Sequence, residues 1–147
     1  MKIAIACDHG GYNFKAGVIK LLEDMNIEII DLGTNSNESV DYPDFALKAA
    51  KLVVNKEADK AILICGTGVG MSMCANKVKG IRACLGNDLF SAKFSRLHND
   101  ANVLCLGGRV LDEEKAVEIV KEWVTTEYKP EERHDRRIKK MMDIENL

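Results

Sequence analysis

The sequence predicts an α/β fold, a three-layer α/β/α sandwich around a five-stranded parallel sheet. Three observations carry that prediction. Short apolar runs of strand length alternate with segments whose apolar residues repeat at the helical period. Strands that alternate with helices form a parallel sheet covered on both faces, the Rossmann-like arrangement. The 147 residues contain no repeat, linker or low-complexity tract, so they are expected to form a single domain with its own core.

The elements follow in order. Lys2–Cys7 is an apolar strand ending at Asp8-His9-Gly10-Gly11, and residues 12–25 carry Phe14, Val18, Leu21, Leu22 and Met25 on one helical face. Residues 27–32 read as a second strand closed by Gly33, and 34–41 as a polar loop. Pro43 then opens a helix running to about residue 56. Lys60–Cys65 is the third strand and 69–78 the third helix. Residues 81–85 and 89–97 give the fourth strand and helix, and 103–106 the fifth strand before Gly107-Gly108. Helices over 112–126 and about 130–144 complete the chain.

The stretch of greatest chemical interest lies where the third strand meets the third helix. Cys65 ends the apolar run, and Gly66, Gly68 and Gly70 follow at alternate positions. Free backbone N–H groups at a helix start favour an anion, and the same field favours a thiolate. The stretch is neither a P-loop, which ends in Gly-Lys-Ser/Thr, nor the dinucleotide fingerprint, whose glycines are spaced differently. In sheets of this kind ligands bind beyond the carboxyl ends of the strands. Asp8-His9, Cys65-Gly66-Thr67, His98-Asn99-Asp100 and Arg109 are all expected at those ends.

Composition excludes several classes. A net charge of −2 argues against a general nucleic-acid surface. The apolar runs are too short to cross a bilayer, and the N-terminal residues lack a signal-peptide layout, so a cytoplasmic location is expected. The five cysteines (7, 65, 74, 84 and 105) are odd in number and form no CxxC pair. No converging metal-ligand set is visible, and four of the five read as small core hydrophobes, with Cys65 the exception.

Each polar piece also has a plainer use. Asp8-His9 can cap the first helix, and His98 can be a histidine favoured at a helix C-terminus. Arg133 and Arg137 stand four apart, on one helical face with His134 close by, where a charged segment is often only a solvated surface.

The residues together resemble the type B ribose-5-phosphate isomerases, of the family shared with galactose-6-phosphate and allose-6-phosphate isomerases. The matching pieces are Cys7-Asp8-His9-Gly10-Gly11, Ile30-Asp31-Leu32-Gly33-Thr34, Asp41-Tyr42-Pro43 and Cys65-Gly66-Thr67-Gly68-Val69-Gly70. Ala75-Asn76-Lys77, Gly80-Ile81-Arg82, Ser95-Arg96-Leu97-His98-Asn99, Asn102-Val103-Leu104 and Arg133-His134-Asp135-Arg136-Arg137 continue it over nearly the whole chain.

The resemblance implies isomerisation of ribose 5-phosphate to ribulose 5-phosphate through ring opening and an enediolate. It also implies homodimers or dimers of dimers with sites at the interface, and no metal or organic cofactor. Cys65 matches the base; some relatives use a glutamate further along the loop, where this chain has Met71. His98 matches the ring-opening residue, with Thr67 its hydroxyl partner. The resemblance further implies that Asp8 and Asn99 hydrogen-bond sugar hydroxyls, and that backbone groups from Gly66 through Gly68 and Val69 to Gly70 form the enediolate hole. By the same resemblance His9, Arg109, Arg133 and Arg137 are expected to take the phosphate, so the last helix, about 130–144, is expected to serve the phosphate site or the dimer contact.

Two departures stand out. The family commonly has Tyr-x-Gly-Gly before Arg-His, whereas Tyr128 here leads through Lys129-Pro130-Glu131-Glu132 to Arg133. Phe90 stands where many relatives have tyrosine. A hexose 6-phosphate (allose or galactose) is the alternative substrate. A non-catalytic flavodoxin-like binding module is the alternative class, and it would not need Cys65, His98 and the arginines together.

Overall fold

Five apolar runs pair side by side and in parallel, in the order β2-β1-β3-β5-β4. The computed structural model describes residues 1–147. The strands are β1 (Lys2–Cys7), β2 (Glu28–Asp31), β3 (Lys60–Cys65), β4 (Ala83–Leu85) and β5 (Val103–Gly107). The helices are α1 (Tyr12–Asp24), α2 (Tyr42–Val54), α3 (Val69–Ala75), α4 (Leu89–Asn99), α5 (Glu113–Thr125) and α6 (Glu132–Asp143), followed by a 3-10 turn at Ile144–Asn146.

Strand alternation divides the core in two. Ile3, Ile5, Ile62, Ile64, Leu104 and Leu106 face α1, α4 and α5, whose contribution centres on Trp123. Ala4, Ala6, Ala61, Leu63, Val103 and Cys105 face α2 and α3. The second face is richer in alanine, and α2 presents Ala46, Ala49 and Ala50 to it. Side chains of every central strand are therefore buried on both faces, as the parallel arrangement requires.

The predicted elements are all present, with edges moved for local reasons. The third helix stops at Ala75 because the Asn76 side chain bonds both the N–H and the carbonyl of Ala83, and Gly80 turns the chain at φ +93°. The fourth strand begins at Ala83 because the Arg82 N–H donates to Asn102 Oδ1 at 2.8 Å. The last helix begins at Glu132, after Pro130, and packs on α4. Asp88 and Asp112 cap α4 and α5 by accepting from Ser91 N–H and Lys115 N–H.

The chain reverses direction across the sheet between β1 and β3, since β2 lies to one side of β1 and β3 to the other. That makes the carboxyl ends of these two strands the natural cleft. Both end in the expected polar residues.

Trp123 is fully buried and its Nε1–H donates to Ser95 Oγ at 3.2 Å, joining α5 to α4. Trp123→Ala should cost about 3–5 kcal/mol of unfolding free energy, from lost burial and the cavity left behind. Urea titration measures it, and a loss below about 1 kcal/mol would contradict this account of the core.

Candidate active site

The loop after β3 is built to hold one sulfur. Cys65 is 4% exposed, and its Sγ accepts the Gly68 N–H at 3.2 Å. Gly68 reaches that position at φ +81°, and a Cβ there would lie 2.7 Å from Leu85 Cδ1 and 2.9 Å from the Leu106 carbonyl carbon. Only glycine fits. The turn thus aims a backbone N–H directly at the sulfur.

Thr67 is exposed beside it. Its Oγ1 accepts from Val69 N–H at 3.2 Å, which leaves the hydroxyl proton free to donate outward. Asn87 locks the turn from below. Its Nδ2 donates to the Thr67 carbonyl at 2.9 Å while its Oδ1 accepts from Gly107 N–H at 2.8 Å. Of the five amides expected to form an anion hole, those of Gly68 and Val69 are thus engaged internally. Those of Gly66, Thr67 and Gly70 make no hydrogen bond within the chain.

The β1 loop closes over this turn. Asp8 is buried, and its Oδ1 accepts from Gly10 N–H at 2.8 Å, so it folds its own loop. Gly10 lies directly against Gly66: a Cβ on Gly10 would sit 2.8 Å from the Gly66 nitrogen. His9 Nδ1 accepts from Val40 N–H at 3.2 Å. A ring nitrogen that accepts is unprotonated, so the neutral ring carries its proton on Nε2. Arg109 follows β5; its Nη1 lies 3.2 Å from where a Gly66 side chain would begin, and its own N–H bonds the Gly66 carbonyl at 2.9 Å. One edge therefore gathers a thiol, a carboxylate, a hydroxyl, an imidazole, a guanidinium and free amides.

Three of the remaining cysteines are held as thiols. Burial pushes Cys7 up to about 11, raises Cys84, and raises Cys105 well above the ordinary thiol range. Cys7 and Cys105 lie in the core as expected, whereas Cys84 is only half-buried, its Sγ donating to the Ser91 carbonyl at 3.7 Å. Met71, where some relatives carry the base, is fully buried and has no proton to exchange.

The family model described as Ribose/Galactose Isomerase matches residues 3–141. The chain belongs to that family. It is 45% identical to ribose-5-phosphate isomerase B of Escherichia coli, over 98% of this chain and 96% of that protein. It is 44% identical to D-erythrulose-4-phosphate isomerase 2 of Mycolicibacterium smegmatis, over 89% of this chain and 88% of that one. Its fold superposes on ribose-5-phosphate isomerase B of Clostridium thermocellum with a TM-score of 0.96, at 49% identity, covering 99% and 98% of the two chains.

The remaining residues expected for this family's site lie elsewhere in the chain. Sequence order suggested that His98-Asn99-Asp100 would join the carboxyl edge, and this is corrected. α4 leaves β4 at that edge and runs back, so its C-terminus lies at the amino edge, where the Asn102 carbonyl accepts from Ala61 N–H at 3.1 Å. A parallel crossover helix has no other course. His98 is exposed there, stacked on His134 with centroids 4.4 Å apart and edge-on to Phe94 at 4.9 Å. Asn99 is exposed beside it. The expected phosphate cluster is likewise divided. His9 and Arg109 stand at the carboxyl edge, while Arg133 and Arg137 are on α6. Arg133 Nε pairs with Glu131 Oε1 at 3.0 Å, and Arg137 is exposed without an ion pair in the chain.

Three supporting residues were not foreseen. Asn87, which locks the turn, could have been noticed as a polar residue just past a strand's carboxyl end. Lys15 is buried on the α1 face that carries Val18 and Leu22, and a lysine at that spacing was the available signal. Its Nζ donates to Asp31 at 3.1 Å, the Thr34 carbonyl at 2.7 Å and Asn35 Oδ1 at 2.9 Å, fixing the start of the loop that holds His9. Val40 had no signal, because it acts through its backbone.

His134 has its pKa lowered by burial first and then by the His98 ring; Arg133 and Arg137 act in the same direction, and Glu131 at 3.5 Å opposes them. A histidine depressed in the folded state contributes stability above its unfolded pKa of about 6.5, and that stability is lost as pH falls. His134→Gln should therefore flatten the decline in unfolding free energy between pH 7 and pH 5. Equal slopes for the two proteins in urea titrations would refute the shift.

Proposed function

We propose that this chain is an aldose–ketose isomerase interconverting ribose 5-phosphate and ribulose 5-phosphate. The observation that carries the reading is Cys65, a nearly buried sulfur accepting the Gly68 amide beside unengaged backbone N–H groups. Ring opening comes first. His98 moves a proton between the ring oxygen and the anomeric hydroxyl, and the Thr67 hydroxyl donates to the same oxygens. The Cys65 thiolate then takes the C2 proton of the open-chain aldose. Negative charge collects on the carbonyl oxygen, where free amides of the turn stabilise it without reorganising. Sulfur, whose proton exchanges with solvent, then delivers a proton to C1, and the enediol hydroxyl proton shifts to complete the ketose. Asp8 and Asn99 hold sugar hydroxyls.

The geometry supports a site shared between two copies. In one chain the base stands at the carboxyl edge and the ring-opening histidine at the amino edge, so His98, Asn99, Arg133 and Arg137 serve the Cys65 of a partner. Phe90 at 71% and Met73 at 63% exposed, with Val69 and Leu85 on the carboxyl side, supply the apolar surface such a contact needs. We assign a homodimer or dimer of dimers, the whole chain acting as one domain. No helix is long and apolar enough to cross a membrane, which accords with a cytoplasmic enzyme. The named relatives do not favour a hexose 6-phosphate or a non-catalytic module.

The test is kcat/KM for ribose 5-phosphate against D-erythrulose 4-phosphate and the 6-phosphates of allose and galactose. The five-carbon sugar should lead, and a higher value for any other reassigns the substrate. Cys65→Ala should fold as the parent does, since the smaller side chain still packs. It should lose turnover on the order of 10²–10⁴-fold with the base gone. Near-parental turnover would remove Cys65 from its role.

A further inference from the structure

The C-terminus of α4 is gripped more firmly than a helix end needs. Asp100 stands in the left-handed region at φ +45° and ψ +47°, a conformation that aspartate tolerates. Its N–H and that of Ala101 donate back to the carbonyls of Arg96 and Ser95. Its carboxylate lies between two guanidinium groups: Arg96 Nη1 is 2.8 Å from Oδ1, and Arg82 Nη2 is 3.6 Å from Oδ2.

The same two arginines also take the carbonyls around it. Arg82 Nε donates to the Asn99 and Asp100 carbonyls at 3.1 Å each, and its Nη2 donates to the Asp100 carbonyl at 2.8 Å. Arg96 donates to the Ala101 carbonyl at 2.5 Å and to the Thr126 carbonyl at 3.1 Å. Arg82 Nη1 reaches Met142 Sδ on α6 at 3.6 Å, so one side chain ties α4 to the helix carrying Arg133, His134 and Arg137.

Orphan carbonyls at a helix end are satisfied by water at little cost when exposed. Here water is replaced by two forked, charged donors, one of them 95% buried, immediately after two exposed residues. A guanidinium bound through several nitrogens to neighbouring carbonyls fixes direction as well as distance. The expense in side-chain entropy and desolvation makes sense if the direction of His98 and Asn99 matters.

We infer that Arg82 and Asp100, with Arg96, are positioning residues that aim His98 and Asn99 for ring opening in the partner's site. They touch neither the substrate nor the reacting atoms. The inference rests on the role of His98 proposed above.

The experiment uses the full-length assembled protein and two rates. Isomerisation of ribose 5-phosphate requires ring opening. Uptake of solvent deuterium at C1 of ribulose 5-phosphate does not, because that ketose has no furanose form and its exchange needs only the Cys65 base. Arg82→Gln and Asp100→Asn should lower kcat for ribose 5-phosphate on the order of 10- to 100-fold, as misplacement of a reacting group does, with deuterium uptake falling less than about threefold. Arg82→Lys, with charge but no fork, should fall between. Sedimentation and thermal melting establish that each variant is folded and assembled. If Arg82→Gln does not fold, Asp100→Asn decides alone, since asparagine also accepts the left-handed backbone.

Equal losses in both rates would mark a merely structural clamp and overturn the inference, as would no loss in either. His98→Asn separates this failure from failure of the underlying reading. If His98→Asn lowers both rates equally, the ring-opening role is wrong. If it is selective and the clamp variants are not, the positioning inference alone falls.

Discussion

The polarity of the parallel sheet constrains everything else in this molecule. Every strand delivers its carboxyl end to one edge, and every crossover helix must carry the chain back to the other. A residue that follows a strand and one that ends a helix are therefore separated by the length of the sheet. Cys65 and Arg109 belong to the first kind, and His98 and Asn99 to the second. No side chain spans such a distance, so on the proposed reading a reaction that needs both draws one from another copy. Topology alone, before any detail of an interface, is what favours that proposal.

At the carboxyl edge the limiting factor is space. Three loops, after β1, β3 and β5, converge on the sulfur, and their backbones touch: Gly10 lies against Gly66, and Gly108 N–H bonds the Cys65 carbonyl at 2.7 Å. Close approach puts amide dipoles, which cost no reorganisation, around the place where the proposed mechanism develops charge. It also explains the division of labour among cysteines. Burial holds Cys7 and Cys105 as thiols, the Cys7 Sγ donating to the Thr34 carbonyl at 3.9 Å, whereas the Cys65 Sγ accepts an amide N–H.

The sequence made the architecture readable because strand length, apolar content and the helical period all pointed one way. Five strands and six helices are present in the expected order, and the edges that moved did so through side-chain bonds such as Asn76 to Ala83, which no period reveals. The Cys65 turn was readable for the same reason that it works, since alternating glycines after a buried run leave few alternatives. What sequence could not supply was which end of the sheet a helix terminus reaches. Placing His98-Asn99-Asp100 beside Cys65 took adjacency in a list of motifs for adjacency in space. Lys15 and Asn87 were overlooked because a polar residue's partner is known only once loops are folded.

The longer segment before Arg133 brings two carboxylates to the helix proposed to bind phosphate, and magnitudes decide what that means. Glu131 pairs with Arg133 and Glu132 with Arg136, all four side chains at least half exposed. Exposed pairs of this kind contribute no more than about 1 kcal/mol and are screened by salt. A phosphate dianion received by a guanidinium fork makes charge-assisted hydrogen bonds worth about 1.5–3 kcal/mol each. Arg133 can exchange Glu131 for phosphate at a net gain, and Arg137 needs no exchange. On the proposed reading, the departure from the family's glycine pair weakens phosphate binding only modestly.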